Sequence, residues 1–252
     1  MRIDCFTLFP PMFEGPLDYS IVKRARDSGA VDIAIHDIRT WTTDRHRTAD
    51  ESPYGGGAGM VMMVPPIVQG VEEILGDDLS SARILITSAS GRRFTQAMAH
   101  ELALESRVVI ICGHYEGIDA RVAAILGAEE LSVGDYVLTG GELAAMIVVD
   151  SVARLIPGVI QAASIEEESH SGDGLVEYPH YTRPLEYRDL TVPDILLSGH
   201  HANIAAWRRE QAIRQTALRR PDLLATANLT PKESALAQSL LDHSPIGEPD
   251  PA

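Results

Sequence analysis

The chain has 252 residues, with 21 Lys+Arg against 36 Asp+Glu, a formal net charge of -15, 45% hydrophobic and 23% charged residues. That length suits one large domain or one domain with a smaller appendage, and the composition is globular, too apolar for a disordered chain. It excludes a membrane-spanning, collagenous, repeat or zinc-ribbon protein: apolar runs such as residues 60–66 are far short of the ~20 residues a bilayer requires. Cys5 and Cys112 cannot make a disulfide framework. The N-terminus has neither a long apolar core nor a small-residue cleavage site, so the expected compartment is the reducing cytoplasm. An acidic chain is a poor bulk nucleic-acid binder. Screening limits distant charge to about 10 Å, however, so a local gathering of cations can still meet a polyanion.

In chain order, residues 3–8 open as a strand stopped by Pro10-Pro11, and residues 19–28 read as a helix ended by Gly29. Val31, Ile33 and Ile35 alternate with polar neighbours, the period of a half-buried strand. Residues 84–86 and 108–111 are unbroken apolar runs, as strands buried on both faces require, with a crossover helix over 94–105 between them. Helices follow over 118–126, closed by Gly127, and over 142–156, stopped by Pro157-Gly158. This alternation predicts an α/β fold with a mostly parallel sheet. Residues 164–174 are polar and acidic and read as a loop or linker; beyond Leu190 the pattern turns helical, over 203–219 and 231–243, before a Pro-rich tail expected to be disordered.

Three glycine-bearing segments each follow a predicted strand: 87–91, 112–117 and 134–141. Ligands of parallel sheets bind beyond the carboxyl ends of strands, where glycine lets backbone come close. Any one segment is explained as well by a plain turn; three in succession point to a pocket. None matches the dinucleotide or phosphate-loop glycine patterns. A further glycine-rich loop, 53–60, flanked by Arg45, His46 and Arg47, reads equally as a phosphate cradle or a close-packing turn. Cys112, His114, His200 and His201 lack a second spaced ligand pair, so no zinc site is assigned. Between residues 204 and 220 stand Arg208, Arg209, Arg214, Arg219 and Arg220 against the single acid Glu210. Arg208 with Arg219, and Arg209 with Arg220, are about three helical turns apart and share a face, the expected contact for the phosphates of a polyanion. Arg24, Arg26, Arg45, Arg47, Arg92 and Arg93 are secondary candidates.

Longer motifs carry more. The set Tyr54-Gly55-Gly56-Gly57, Cys112-Gly113-x-Tyr115-Glu116-Gly117-Ile118-Asp119, Ser132-Val133-Gly134-Asp135-Tyr136-Val137-Leu138-Thr139-Gly140-Gly141-Glu142, Arg154-x-Ile156-Pro157-Gly158, Pro179-His180-Tyr181-Thr182-Arg183-Pro184 and Leu197-Ser198-Gly199-His200-His201 resembles the bacterial tRNA (guanine-37-N1)-methyltransferases. These are knotted (SPOUT-class), S-adenosylmethionine-dependent enzymes, and the resemblance runs from Phe9 to about Leu224. It implies a knotted α/β cofactor-binding domain over 1–160 with a deep trefoil knot in its C-terminal portion. It further implies a flexible linker over 161–175 and a small all-helical tRNA-binding domain over 176–246. By position the cofactor would meet Ser88, Ala89, Gly113, Tyr115, Glu116, Gly117, Val133, Gly134, Asp135, Tyr136, Val137, Leu138, Gly140 and Gly141, with Glu116 also lining the guanine pocket. Asp119 reads instead as a helix cap. A homodimer is implied, each active site shared across subunits and closed by the other's C-terminal domain around the tRNA anticodon stem-loop, with no membrane partner. The family's Mg2+ requirement carries over without assignable ligands.

Guanine N1 holds a proton at neutral pH and becomes a nucleophile only when a carboxylate takes it, an effect worth roughly 10²–10⁴ in rate. The charge left on O6 calls for a guanidinium. The family's arginine maps onto Arg154. Its aspartate base lies in a segment that here reads Ala163-Ser164-Ile165-Glu166-Glu167-Glu168-Ser169-His170, with Glu168 where Asp is expected and His170 where Phe is expected. Two readings stay open: Glu168 as the base in a shifted loop, which is favoured, or Asp173. Two rival functions are a ribose 2'-O methyltransferase of the same class and an RNA-binding homologue that has lost catalysis.

Overall fold

The computed structural model describes residues 1–161, 168–170 and 172–243. The tail expected to be disordered and residues 162–167 of the base-bearing segment lie outside the described residues. Two compact units divide the chain, Met1–Gln161 and Ala162–Ala252.

In the first unit, strands β1 (Arg2–Thr7), β2 (Asp32–Asp37), β5 (Arg83–Arg93), β6 (Arg107–Cys112) and β7 (Glu129–Ser132) form one parallel sheet in the order β2-β1-β6-β5-β7. A two-residue antiparallel pair, β3 (Asp50–Glu51) with β4 (Val61–Met62), stands apart. Side chains alternate across the sheet. Ile3, Cys5, Leu85, Val108 and Ile110 face helices α1 (Ser20–Asp27), α3 (Gln96–Ala103) and α5 (Glu142–Ala153). Phe6, Ile84, Ile86, Val109 and Ile111 face α2 (Val64–Leu75) and α4 (Arg121–Leu126). Residues 84–86 of β5 and 108–111 of β6 are therefore apolar on both faces, which is why those runs are unbroken. The expected helix boundaries shift by a few residues, and α4 closes on Gly127 in the left-handed conformation, at φ 61°.

The sequence pattern ends β5 before the glycine-bearing segment 87–91. Instead β5 continues to Arg93, with its register against β7 slipping between Thr87 and Arg92, so that residues 88–91 bulge from the ladder. That bulge, the segment after β6 and the segment after β7 all lie at one end of the sheet.

At the opposite end of β1, Asp4 is fully buried and accepts from Arg2 (2.9 Å), His36 (2.8 Å) and Arg107 (3.0 Å). Burial alone would raise its pKa, but the bonds from His36, Arg2 and Arg107 outweigh it and hold the carboxyl down to about 2.

The second unit is not all-helical. Besides α6 (His201–Arg219) and α7 (Pro231–His243) it contains a two-stranded hairpin, β8 (Glu186–Tyr187) with β9 (Leu190–Thr191). Its core gathers Leu175, Ala212, Ile213 and Ala237. Leu175 was expected in the flexible linker. It is buried: the Val176 N–H donates to Thr216 Oγ1 (3.0 Å), tying the segment to α6, and the His170 N–H donates to the Leu175 carbonyl (2.9 Å) within the segment. The described part of the expected linker thus belongs to the helical unit.

Asp4→Ala would strand buried cations and is expected to cost about 3–5 kcal/mol, measured by urea unfolding at pH 7. Because folding lowers the Asp4 pKa, its contribution is complete above about pH 4 and is lost as the pH falls toward 2. The variant should therefore lose less stability than the wild type over that window.

Candidate functional site

A cavity of about 510 Å³ opens where the three glycine-bearing segments meet, within the range of small-molecule sites. Ser88, Ala89, Gly113, Tyr115, Glu116, Gly117, Val133, Gly134, Tyr136, Val137, Leu138, Gly140 and Gly141 line it. Of the expected cofactor residues, only Asp135 is not among the lining; its side chain is exposed.

At the inner edge of the cavity Gly113 and Gly141 come together with Thr87, and neither glycine leaves room for a side chain of its own. The Gly141 N–H donates to the Gly113 carbonyl (2.7 Å), and the Gly113 N–H donates to Thr87 Oγ1 (3.1 Å). A Cβ on Gly141 would lie 1.8 Å from Thr87 Oγ1. His114 and Gly140 form an isolated antiparallel bridge at the same crossing. Tyr115 is a non-glycine residue in the left-handed region, at φ 56°, the kind of backbone strain that concentrates at functional sites. The Glu116 N–H donates to the Met60 carbonyl (3.0 Å), and a Cβ on Gly59 would meet Glu116 Oε1 at 2.4 Å, so the 53–60 loop packs against the cavity wall. Four of its glycines have positive φ, which supports its reading as a close-packing turn. Asp119 lines the cavity and its carboxylate accepts from the Arg121 guanidinium (2.7 Å) and backbone N–H (2.9 Å), which lower its pKa; the N-cap of α4 itself is Ala120, so the expected cap lies one residue ahead of it.

The helical unit has its own cavity, of about 210 Å³, lined among others by Glu168, Asp173, Tyr178, Arg208 and Arg209. The Arg208 guanidinium lies 4.8 Å from the centroid of the Tyr178 ring. Arg209 donates to Glu233 (2.7 Å), Asp173 (2.5 Å) and the Asn228 carbonyl (2.9 Å). Arg209, then the Thr230 backbone N–H, hold the Glu233 carboxyl down to about 2. The second oxygen of Asp173 accepts from Asn228 Nδ2 at 3.3 Å.

A family model described as tRNA (guanine-1)-methyltransferase TrmD matches residues 1–226. The chain belongs to this family. It is 61% identical over 238 residues to a tRNA (guanine-N(1)-)-methyltransferase of Thermomicrobium roseum, covering 94% of this chain and 88% of that one. The protein so named in Chloroflexus aggregans is 57% identical over 227 residues, 90% of this chain and 89% of that one. The one in Dehalococcoides mccartyi (strain BAV1) is 49% identical over 242 residues, 96% of this chain and 97% of that one.

The two side chains expected to react, Arg154 and Glu168, fall in separate units. Arg154 caps the C-terminal end of α5 in the first, half-buried; Glu168 lies in the second, also half-buried. Asp173, the alternative base, has both oxygens engaged by Arg209 and Asn228, which makes it a strut of the helical unit. Arg209, expected on the RNA face, has its guanidinium taken up by two carboxylates and a carbonyl of the helical unit. Arg214 pairs with Glu210 (2.7 Å) and Arg220 with Asp222 (2.6 Å). Arg208 and Arg219 complete the cluster on α6. Sequence reading missed Thr87 and Glu142. The only sign of Thr87 was its place at the head of a glycine-bearing segment, and Glu142 ended a quoted motif without an assigned role. No helix among the described residues is long and apolar enough to cross a membrane.

Gly141→Ala should lower stability by about 1–3 kcal/mol in urea unfolding, because the crossing has no room for a methyl group. Arg209→Ala should also cost about 1–3 kcal/mol, through the charged hydrogen bonds it removes. An Arg209→Ala protein as stable as the wild type would return that residue to the RNA face.

Proposed function

We propose that this protein transfers a methyl group from S-adenosylmethionine to N1 of guanosine 37 in tRNA, beside the anticodon. The observation that carries the reading is a nucleoside-sized cavity built from the segments on which the family resemblance rests. The cavity fits the donor: at Gly113, Gly140 and Gly141 a Cβ would collide with protein, so bare backbone forms part of the wall. When bound, the donor supplies a methyl group already activated on a sulfonium. The chain's own residues do the rest. The 88–89, 113–117 and 133–141 segments hold the donor through backbone groups, and Glu116 borders the guanine. Glu168 takes the N1 proton as general base; Arg154 stabilises the charge that develops on guanine O6.

The deep trefoil knot belongs to this reading. The passage of the chain at Gly141 against Thr87 and Gly113, with the bulge of β5 beside it, supports it. So does a homodimer, in which the helical domain of one copy completes the active site of the other. Leu143 and Ile147, one turn apart on α5 and 48% and 43% exposed, supply an apolar face for a second copy. Arg208, Arg214, Arg219 and Arg220 contact the anticodon stem-loop, and extruding the target base costs less in a loop than in a duplex. The cytoplasm is the compartment this substrate calls for. Among the described residues no group of three or more His, Cys, Asp or Glu could hold a metal ion.

Glu168→Gln should lower labelled-methyl transfer to a tRNA transcript with G36-G37 by about 10²–10⁴-fold, with donor binding unchanged. Nucleoside mass spectrometry of the wild-type product should give 1-methylguanosine. A ribose-methylated nucleoside would favour the 2'-O reading, and absence of transfer by the wild type would favour an RNA binder without catalysis.

A further inference from the structure

Beneath the donor pocket, Glu142 is fully buried as the first residue of α5. One carboxylate oxygen accepts from Thr7 Oγ1 at 2.7 Å, linking α5 to β1. The other, Oε2, has no hydrogen-bond partner among the described residues, and neither does the buried Nδ1 of His114. These two atoms stand 3.8 Å apart, about 1 Å beyond hydrogen-bond distance. Gly140 lies against both, since a Cβ there would be 2.4 Å from each. The His114 ring is packed by Phe9 and Tyr115, each with its centroid 4.7 Å away, and its exposed remainder lines the pocket. Leaving a buried carboxylate oxygen and a ring nitrogen unbonded is costly. A shift of about 1 Å in the Gly140 turn would satisfy both.

We propose that Glu142 and His114 are positioning residues for the methyl donor: they hold Gly140 between them and draw together into a hydrogen bond when the 133–141 loop settles on the ligand. The inference rests on the donor pocket proposed above. Neither residue touches the reacting atoms; each acts through the backbone of Gly140 and Gly141. Binding then gains a charge-assisted bond that the free protein lacks, so removing it weakens donor binding more than folding.

The test is calorimetric titration of the full-length protein with S-adenosylhomocysteine, alongside urea unfolding of the ligand-free protein. His114→Phe keeps the ring packing and removes Nδ1; Glu142→Leu removes both carboxylate bonds; Glu142→Gln keeps an acceptor for Thr7 and a polar group toward His114. His114→Phe and Glu142→Leu should each bind about tenfold more weakly, with Glu142→Gln recovering most of the loss. His114→Phe should unfold at the wild-type urea midpoint, and its donor KM should rise with kcat nearly unchanged at saturating donor. In the wild type, the His114 ring-nitrogen NMR signal should move on ligand addition. If Glu142→Leu fails to fold, His114→Phe decides alone. Binding by His114→Phe within twofold of the wild type overturns the inference and leaves the pocket standing, whereas a wild type that binds no S-adenosylhomocysteine overturns the pocket as well.

Discussion

The absence of a side chain at Gly141 is the constraint on which the rest of the first unit depends. There the start of α5 comes against Thr87 on β5 and Gly113 after β6, close enough that even a methyl group would collide. The contact brings three chain segments to one end of a parallel sheet and leaves a cavity between them. A parallel sheet usually presents its ligand site beyond the carboxyl ends of its strands. Here the bulge in β5 and the return of the chain before α5 build that site from backbone.

The two units divide the physical work. The α/β unit spends its buried polar groups on architecture: Asp4 with Arg2, His36 and Arg107 at one end of β1, Glu142 with Thr7 at the other. In the helical unit, ion pairs do much of the tethering. Asp173, Arg209 and Glu233 bind the segment before α6 to the region that opens α7, around a core of only a few buried side chains. An acidic chain with its arginines gathered on α6 can still meet a polyanion, because screening leaves local charge in control.

Much of this was legible in the sequence. The unbroken apolar runs of β5 and β6 marked them as central strands, and α7 lies where its pattern placed it. Helix α2 was not anticipated: Pro65 and Pro66 look like breakers, yet they occupy its first turn, where no intrahelical N–H is needed. Strand β7 was hidden by Glu129 and Glu130, which an edge strand tolerates. The glycine segments and the arginine run were visible as patterns. What each arginine holds was not, because Arg209 finds its carboxylates in segments distant in sequence. The bond between Thr7 and Glu142 spans 135 positions and has no local signature.

Hydrogen exchange with and without S-adenosylhomocysteine tests the central claim most directly. Ligand should slow exchange at backbone amides of the 86–90, 113–119 and 133–141 segments, the three that the crossing at Gly141 brings together. Protection confined to the helical unit, around 168–178 and 205–212, with the three segments unchanged, would contradict the account.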